Sequence, residues 1–287
     1  MARSFCLIDD ITPLHQLTEE TAQEEKFLFM PRTSYRMHRS GYWGGQGVPE
    51  YPPQGVLIYY YLAQKPEQEL ALRIMDERGN VIRHFSSRAE GPSRLPDGAG
   101  MHRFSWDLRY PGPVDLEAGR RGGRGPLALP GRYQIRMSAG DWSQAQSFQF
   151  KLDPRVAEDG VTQADLEAQL AFNLRIRETI SRANLTIRNL RQWRESLLEE
   201  SEGPDRDALL QRLDEIENQL IQTQEGKVGA QLKPKLVRQL QYLAGMTRQA
   251  DQRPGEDAYL RLDDIEKELQ QLIGSYQTLK ESWNPER

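Results

Sequence analysis

Apolar residues in the first half of the chain recur at every second position. In Leu70-Ala-Leu-Arg-Ile-Met75, Leu70, Leu72 and Ile74 take alternate positions. So do Phe104 and Trp106, then Tyr133, Ile135 and Met137, then Phe148, Phe150 and Leu152. A period of two puts each set on one face of a strand. The run from Gly55 to Leu62, rich in Tyr, Ile and Val, is a further strand signal. Asp76 to Asn80 reads as a turn into a returning strand at 81–85, and Ala139-Gly140-Asp141 as a tight turn. Short strands at this spacing predict an antiparallel, Ig-like β-sandwich over residues 54–155.

Residues 1–53 read differently. Arg3 to Asp9 suggests one strand, 15–25 a short helix, and Lys26 to Met30 a short strand ahead of Pro31. Residues 31–55 read as loop. A loop of that length is unusual inside a compact domain. It is expected to lie across another surface, held by its aromatics.

From Thr162 the period lengthens. Thr162 with Asp165 three residues on fits a helix N-cap. Ile176, Ile180, Ala183, Ile187, Leu190 and Leu197 then follow 4-3 spacing, interrupted by Arg194. The helix is predicted to run to about residue 200, which spans about 57 Å at ~1.5 Å per residue. Leu209, Leu213, Ile216 and Leu220 continue the pattern after Gly203-Pro204. Leu236, Leu240 and Leu243 mark a third helix, and Leu262, Ile265, Leu269, Leu272, Tyr276 and Leu279 a fourth. Short connections imply antiparallel neighbours. The reading is an α+β chain: a sandwich followed, over 160–284, by an antiparallel helical hairpin or bundle of three to four helices.

Composition follows the same division. Up to Arg155 the chain holds 16 of its 23 Gly, 13 of its 17 Pro and 18 of its 24 aromatics, which suits strands and turns. Residues 1–153 carry 19 Lys+Arg against 18 Asp+Glu; residues 154–287 carry 19 against 24, so the helical part is the acidic one. The whole chain has a net charge of -4, which gives no basic footprint for nucleic acid. No apolar run is long enough for a membrane span. Nothing after Met1 resembles a secretory signal.

Candidate chemistry is sparse. His15, His38, His84 and His102 share no metal-ligand spacing, and His84 and His102 are expected to face solvent from their strands. Neither a metal nor a cofactor is expected. Cys6, beside Phe5 and Leu7, reads as a buried thiol. Asp9 and Asp10 point to opposite faces of an extended chain, so they do not make the convergent carboxylates of a glycosidase. Asp10 is expected to cap the turn toward Thr12. Asp107 and Arg109 read as a structural pair holding the loop that follows. Gly122 to Gly125, after Arg120 and Arg121, lacks the helix that a phosphate loop needs, since Pro126 and Pro130 follow. Tyr35, Arg36, Tyr42 and Trp43, with Trp142, are the candidate ligand or domain contacts. Such aromatics can stack on sugars, but packing against a neighbouring domain is the preferred reading.

Several segments together resemble a known family. They are Arg3 to Leu14, Leu28-Phe-Met-Pro-Arg32, Pro53 to Tyr61, Phe104-Ser-Trp-Asp-Leu-Arg-Tyr-Pro111, Leu129-Pro-Gly-Arg-Tyr133, Lys151-Leu-Asp-Pro-Arg155, and Leu174 to Glu178 with Asn184. In this order they are similar to the C-terminal region of bacterial exported proteins with BNR/sortilin-like repeats, often labelled glycosyl-hydrolase-like. The resemblance implies that a β-propeller precedes this region, with Arg3 to Asp9 as its last strand. It also implies a periplasmic or extracellular setting. The propeller's Ser-x-Asp-x-Gly-x-x-Trp box has no match in the sequence, so no catalytic residue is carried over. The expected function is a non-catalytic accessory structural or protein-interaction module. Its partner would be a β-propeller domain or subunit, or a second copy bound through the helices. The alternatives are part of a sugar-processing hydrolase completed by a separate propeller, or a carbohydrate-binding module.

Overall fold

The computed structural model describes residues 10–37, 55–116, 123–200, 204–222 and 233–283. The chain is α+β and divides into two compact units. One comprises Met1–Pro111 and Leu127–Gln163, the other Gly112–Pro126 and Ala164–Arg287.

Among the described residues the first unit carries eight strands: β1 Lys26–Leu28, β2 Ser34–Arg36, β3 Val56–Leu62, β4 Leu70–Met75, β5 Val81–Ser86, β6 Gly100–Trp106, β7 Gly131–Ala139 and β8 Trp142–Leu152. They form a three-stranded antiparallel sheet, β1-β3-β6, and a five-stranded mixed sheet, β2-β8-β7-β4-β5. The alternation read from the sequence decides which side chains point inward. Leu70, Leu72 and Ile74 of β4 are fully buried, as are Ile135 and Met137 of β7. Both sheets feed one apolar cluster, in which Trp106 of β6 meets Tyr133 and Phe148 at ring-centroid distances of 5.7 and 6.4 Å. Gly55 enters β3 with φ +112, and a Cβ there would lie 1.9 Å from the Trp106 carbonyl oxygen. Only glycine fits that approach.

Two expectations for the N-terminal stretch are corrected. Residues 15–25 form no single helix but two 3₁₀ turns, Leu14–Gln16 and Thr21–Gln23. Thr18 and Thr21 explain the break. The Thr18 N–H donates to Thr21 Oγ1 at 2.7 Å and the Thr21 N–H to Thr18 Oγ1 at 3.2 Å, so hydroxyls take the place of helical carbonyls. The stretch 31–55 is not loop throughout, because β2 lies in it and pairs parallel with β8, Tyr35 opposite Lys151. In its described part, Ser34 and Arg36 are buried while Tyr35 is exposed; Tyr42 and Trp43 lie outside the described residues. The expected strand at 3–9 lies outside the described residues.

A five-residue helix, α1 (Pro154–Glu158), follows β8. Asp153 caps it, accepting the Arg155 N–H at 3.0 Å, with Pro154 in the first turn.

The second unit is built on α2 (Gln163–Glu200), α3 (Pro204–Leu220), α4 (Leu236–Met246) and α5 (Glu256–Ser282). The heptad residues of α2, from Ile176 through Leu197, are all buried in one cluster with the stripes of α3, α4 and α5. Arg194 fills the gap in the stripe by pairing with Glu217 of α3 at 3.1 Å, and Arg191 reaches the same carboxylate at 2.7 Å. Arg191 also precedes Arg194 while Glu217 follows Asp214, which fixes α2 and α3 as antiparallel. Helices α2 and α5, which are not consecutive, run in the same direction. Arg175 meets Glu266, Arg182 meets Gln270, and Trp193 meets Tyr276. The intervening helices α3 and α4 provide the return. No helix among the described residues is long and apolar enough to cross a membrane.

Candidate functional site

The residues singled out in the sequence do not converge. Tyr35 is exposed on β2. Arg36, next to it, is buried and donates from Nη1 to the Ala128 carbonyl at 2.6 Å, so it ties the strand down. Trp142 stands at the far end of β8, half-buried against the apolar cluster. Tyr35 pairs in register with Lys151, nine residues along β8 from Trp142. At ~3.3 Å per residue the two lie about 30 Å apart, too far to share a sugar ring. Tyr42 and Trp43, like Cys6, Asp9 and His38, lie outside the described residues.

Asp107 and Arg109 meet through the backbone, the Arg109 N–H donating to Asp107 Oδ1 at 3.2 Å. The indole N–H of Trp106 donates to the Arg109 carbonyl at 3.0 Å. Between them Leu108 takes a positive φ of 60, rare for a branched side chain, while its side chain is buried in the core. This is a tightly held corner. His84 is exposed as expected, whereas His102 stacks on Tyr60 at 4.9 Å and contacts the Gly98 carbonyl at 2.7 Å. Among the described residues no group of three or more His, Cys, Asp or Glu is arranged to hold a metal. Burial pushes the Tyr60 and Tyr133 hydroxyls well up from the usual tyrosine value. Both stay neutral and donate to backbone carbonyls of Pro96 and Leu129.

The feature that stands out is the arm formed by residues 10–37. Among the described residues, six of the fourteen exposed large apolar side chains fall there: Ile11, Leu14, Leu17, Met30, Tyr35 and Met37. The arm is nonetheless firmly placed. Asp10 caps its first turn, accepting the Thr12 N–H at 3.0 Å as the sequence suggested, and lies 3.7 Å from Arg32. Gln16 bridges to the backbone of Met30. Its strand β1 joins one sheet and its strand β2 the other. Sequence periodicity missed these residues because no single period joins Ile11, Leu14, Leu17, Met30, Tyr35 and Met37.

In the helical unit, a short strap, 112–116 with 123–126, lies along α2. Ser181 Oγ accepts the Val114 N–H at 3.0 Å, Asn184 Nδ2 donates to the Val114 carbonyl at 2.7 Å, and Arg188 Nε to the Leu116 carbonyl at 3.2 Å. These three side chains share one α2 face, so the helix recognises the strap through its backbone. Arg248 secures the far end by donating to the Arg124 carbonyl at 2.5 Å.

No protein-family model matches the chain, and no curated protein matches its sequence.

Proposed function

We propose that this chain is a non-catalytic accessory module that docks on a partner domain through the arm at 10–37. One observation carries the reading: the arm gathers exposed Ile11, Leu14, Leu17, Met30, Tyr35 and Met37 on a backbone pinned to both sheets. Apolar side chains concentrated on a rigid segment favour burial against a partner, because little ordering entropy remains to be lost. The resemblance to the C-terminal region of BNR/sortilin-like proteins makes that partner a β-propeller. In this reading the eight strands serve as an Ig-like sandwich that carries the arm, and the helices form a bundle of their own. The separation of Tyr35 from Trp142 disfavours a shared sugar platform.

The test is sedimentation of the chain mixed with a β-propeller of the BNR/sortilin-like kind. A complex is expected, and Leu14→Asp with Leu17→Asp should abolish it without lowering the melting temperature. A complex that tolerates both changes would remove the arm from the interface.

A further inference from the structure

Helix α4 is apolar on two sides. Leu236, Val237, Leu240 and Ala244 form its buried stripe. A second stripe, Tyr242 and Met246, is 69% and 50% exposed, although an amphipathic helix facing one core should be polar there. This second stripe lines a groove of about 810 Å³ between α4 and the start of α5. That size lies in the usual range for small-molecule sites. Leu243, Pro254 and Ala258 complete its apolar wall.

The groove is electrically lopsided. Lys233, Arg238 and Arg261 line it, against the single carboxylate of Asp257. The cations also share one end. Arg261 donates to the side chain of Gln239, which places α5 residue 261 beside the first turn of α4, next to Arg238. Because α5 runs back along α4 from there, Ala258 and Pro254 accompany Tyr242 and Met246 toward the other end. The geometry points to a binding site for an amphipathic anion: an alkyl body along Tyr242, Leu243, Met246 and Pro254, and a carboxylate head between Arg238 and Arg261. Two guanidinium groups suit a carboxylate, which can accept from each in a planar arrangement. The alkyl body covers the apolar stripe that the fold leaves in water. A medium-chain fatty acid meets both demands. The site lies wholly in the helical unit and is independent of the arm.

The experiment is calorimetric titration of the full chain with sodium decanoate, beside decanol and decyltrimethylammonium at equal concentration. Saturable decanoate binding is expected with a Kd below about 1 mM, on the scale of a small ligand with about twelve heavy atoms. Decanol should bind about tenfold more weakly, and the cationic amphiphile not measurably. Arg238→Glu with Arg261→Glu should weaken decanoate at least about tenfold, which is ~1.4 kcal/mol. Met246→Glu should do the same from the apolar end. All three side chains are exposed, so the melting temperature should hold. Absence of saturable binding, equal binding of the cationic amphiphile, or indifference to the charge reversals would overturn the site. So would a dimer in sedimentation that Tyr242→Ser converts to monomer, since a second copy would then occupy the groove.

Discussion

The side-chain amide of Gln16 and the peptide group of Met30 exchange two hydrogen bonds: Nε2 to the carbonyl at 2.9 Å, and the Met30 N–H to Oε1 at 2.8 Å. A glutamine amide offers the same donor and acceptor as a peptide unit. Gln144 of β8 treats Leu28 in the same way, at 2.7 and 3.2 Å, and Gln146 adds a donor at 3.1 Å. Side chains thus stand in for the missing neighbour strand, and the arm offers side chains rather than a bare edge. Gln16→Leu should cost about 1 kcal/mol and speed amide exchange at Met30, with β7 and β8 unaffected. Exchange measured by mass spectrometry checks both parts.

Gly55 carries the second prediction. Alanine there would clash with the Trp106 carbonyl and would also hold a positive φ. Backbone strain alone costs about 1–3 kcal/mol, and the β3–β6 pair must shift in addition. Gly55→Ala should lower the midpoint of denaturant unfolding, whereas Gly79→Ala, where nothing lies within 4 Å, should cost less.

The ion layer between α2 and α3 should behave non-additively. The Glu217 side chain is 3% exposed, and Arg191 and Arg194 both reach it. Removing both arginines leaves a buried carboxylate without a cation, which should cost ~3–5 kcal/mol. Either single change to Ala should cost much less than half of that, because the remaining arginine still pairs. Denaturant curves of the two single variants and the double variant give the coupling.

Acid should weaken the start of α1. The Arg155 guanidinium and N–H hold the Asp153 carboxyl below its ordinary value of 3.8. A lowered native pKa means that the unfolded chain takes up the proton first. The contribution is therefore complete above the ordinary carboxylate pKa and is lost as pH falls through the native one. The stability gap between the native chain and Asp153→Ala should be constant from about pH 7 to pH 5 and narrow below about pH 4. Chemical unfolding across that range measures it.

Much of the fold was legible because burial imposes a period. The inward residues of β4, β7 and β8, the start of α2 after Thr162 and its end at Glu200 all follow from spacing. Arg194 could be seen as an exception to the stripe, but its partner Glu217 sits on another helix, beyond the reach of a local pattern. Strand β2 is three residues long and turns an arginine inward, so no pattern marks it. The parallel course of α2 and α5 depends on what α3 and α4 do between them. The arm was hardest to read, since exposure of Leu14 or Met30 is a property of the assembled surface. The same holds for Tyr242 and Met246, which continue an apolar helix without announcing that a groove faces them.

The central claim is that the arm is the docking face. Amide hydrogen exchange of the chain, alone and mixed with a β-propeller of the proposed kind, tests it most directly. The account predicts slowed exchange within residues 10–37 and no change along α3 and α5. Protection confined to the helical unit, with the arm exchanging as in the free chain, would contradict it.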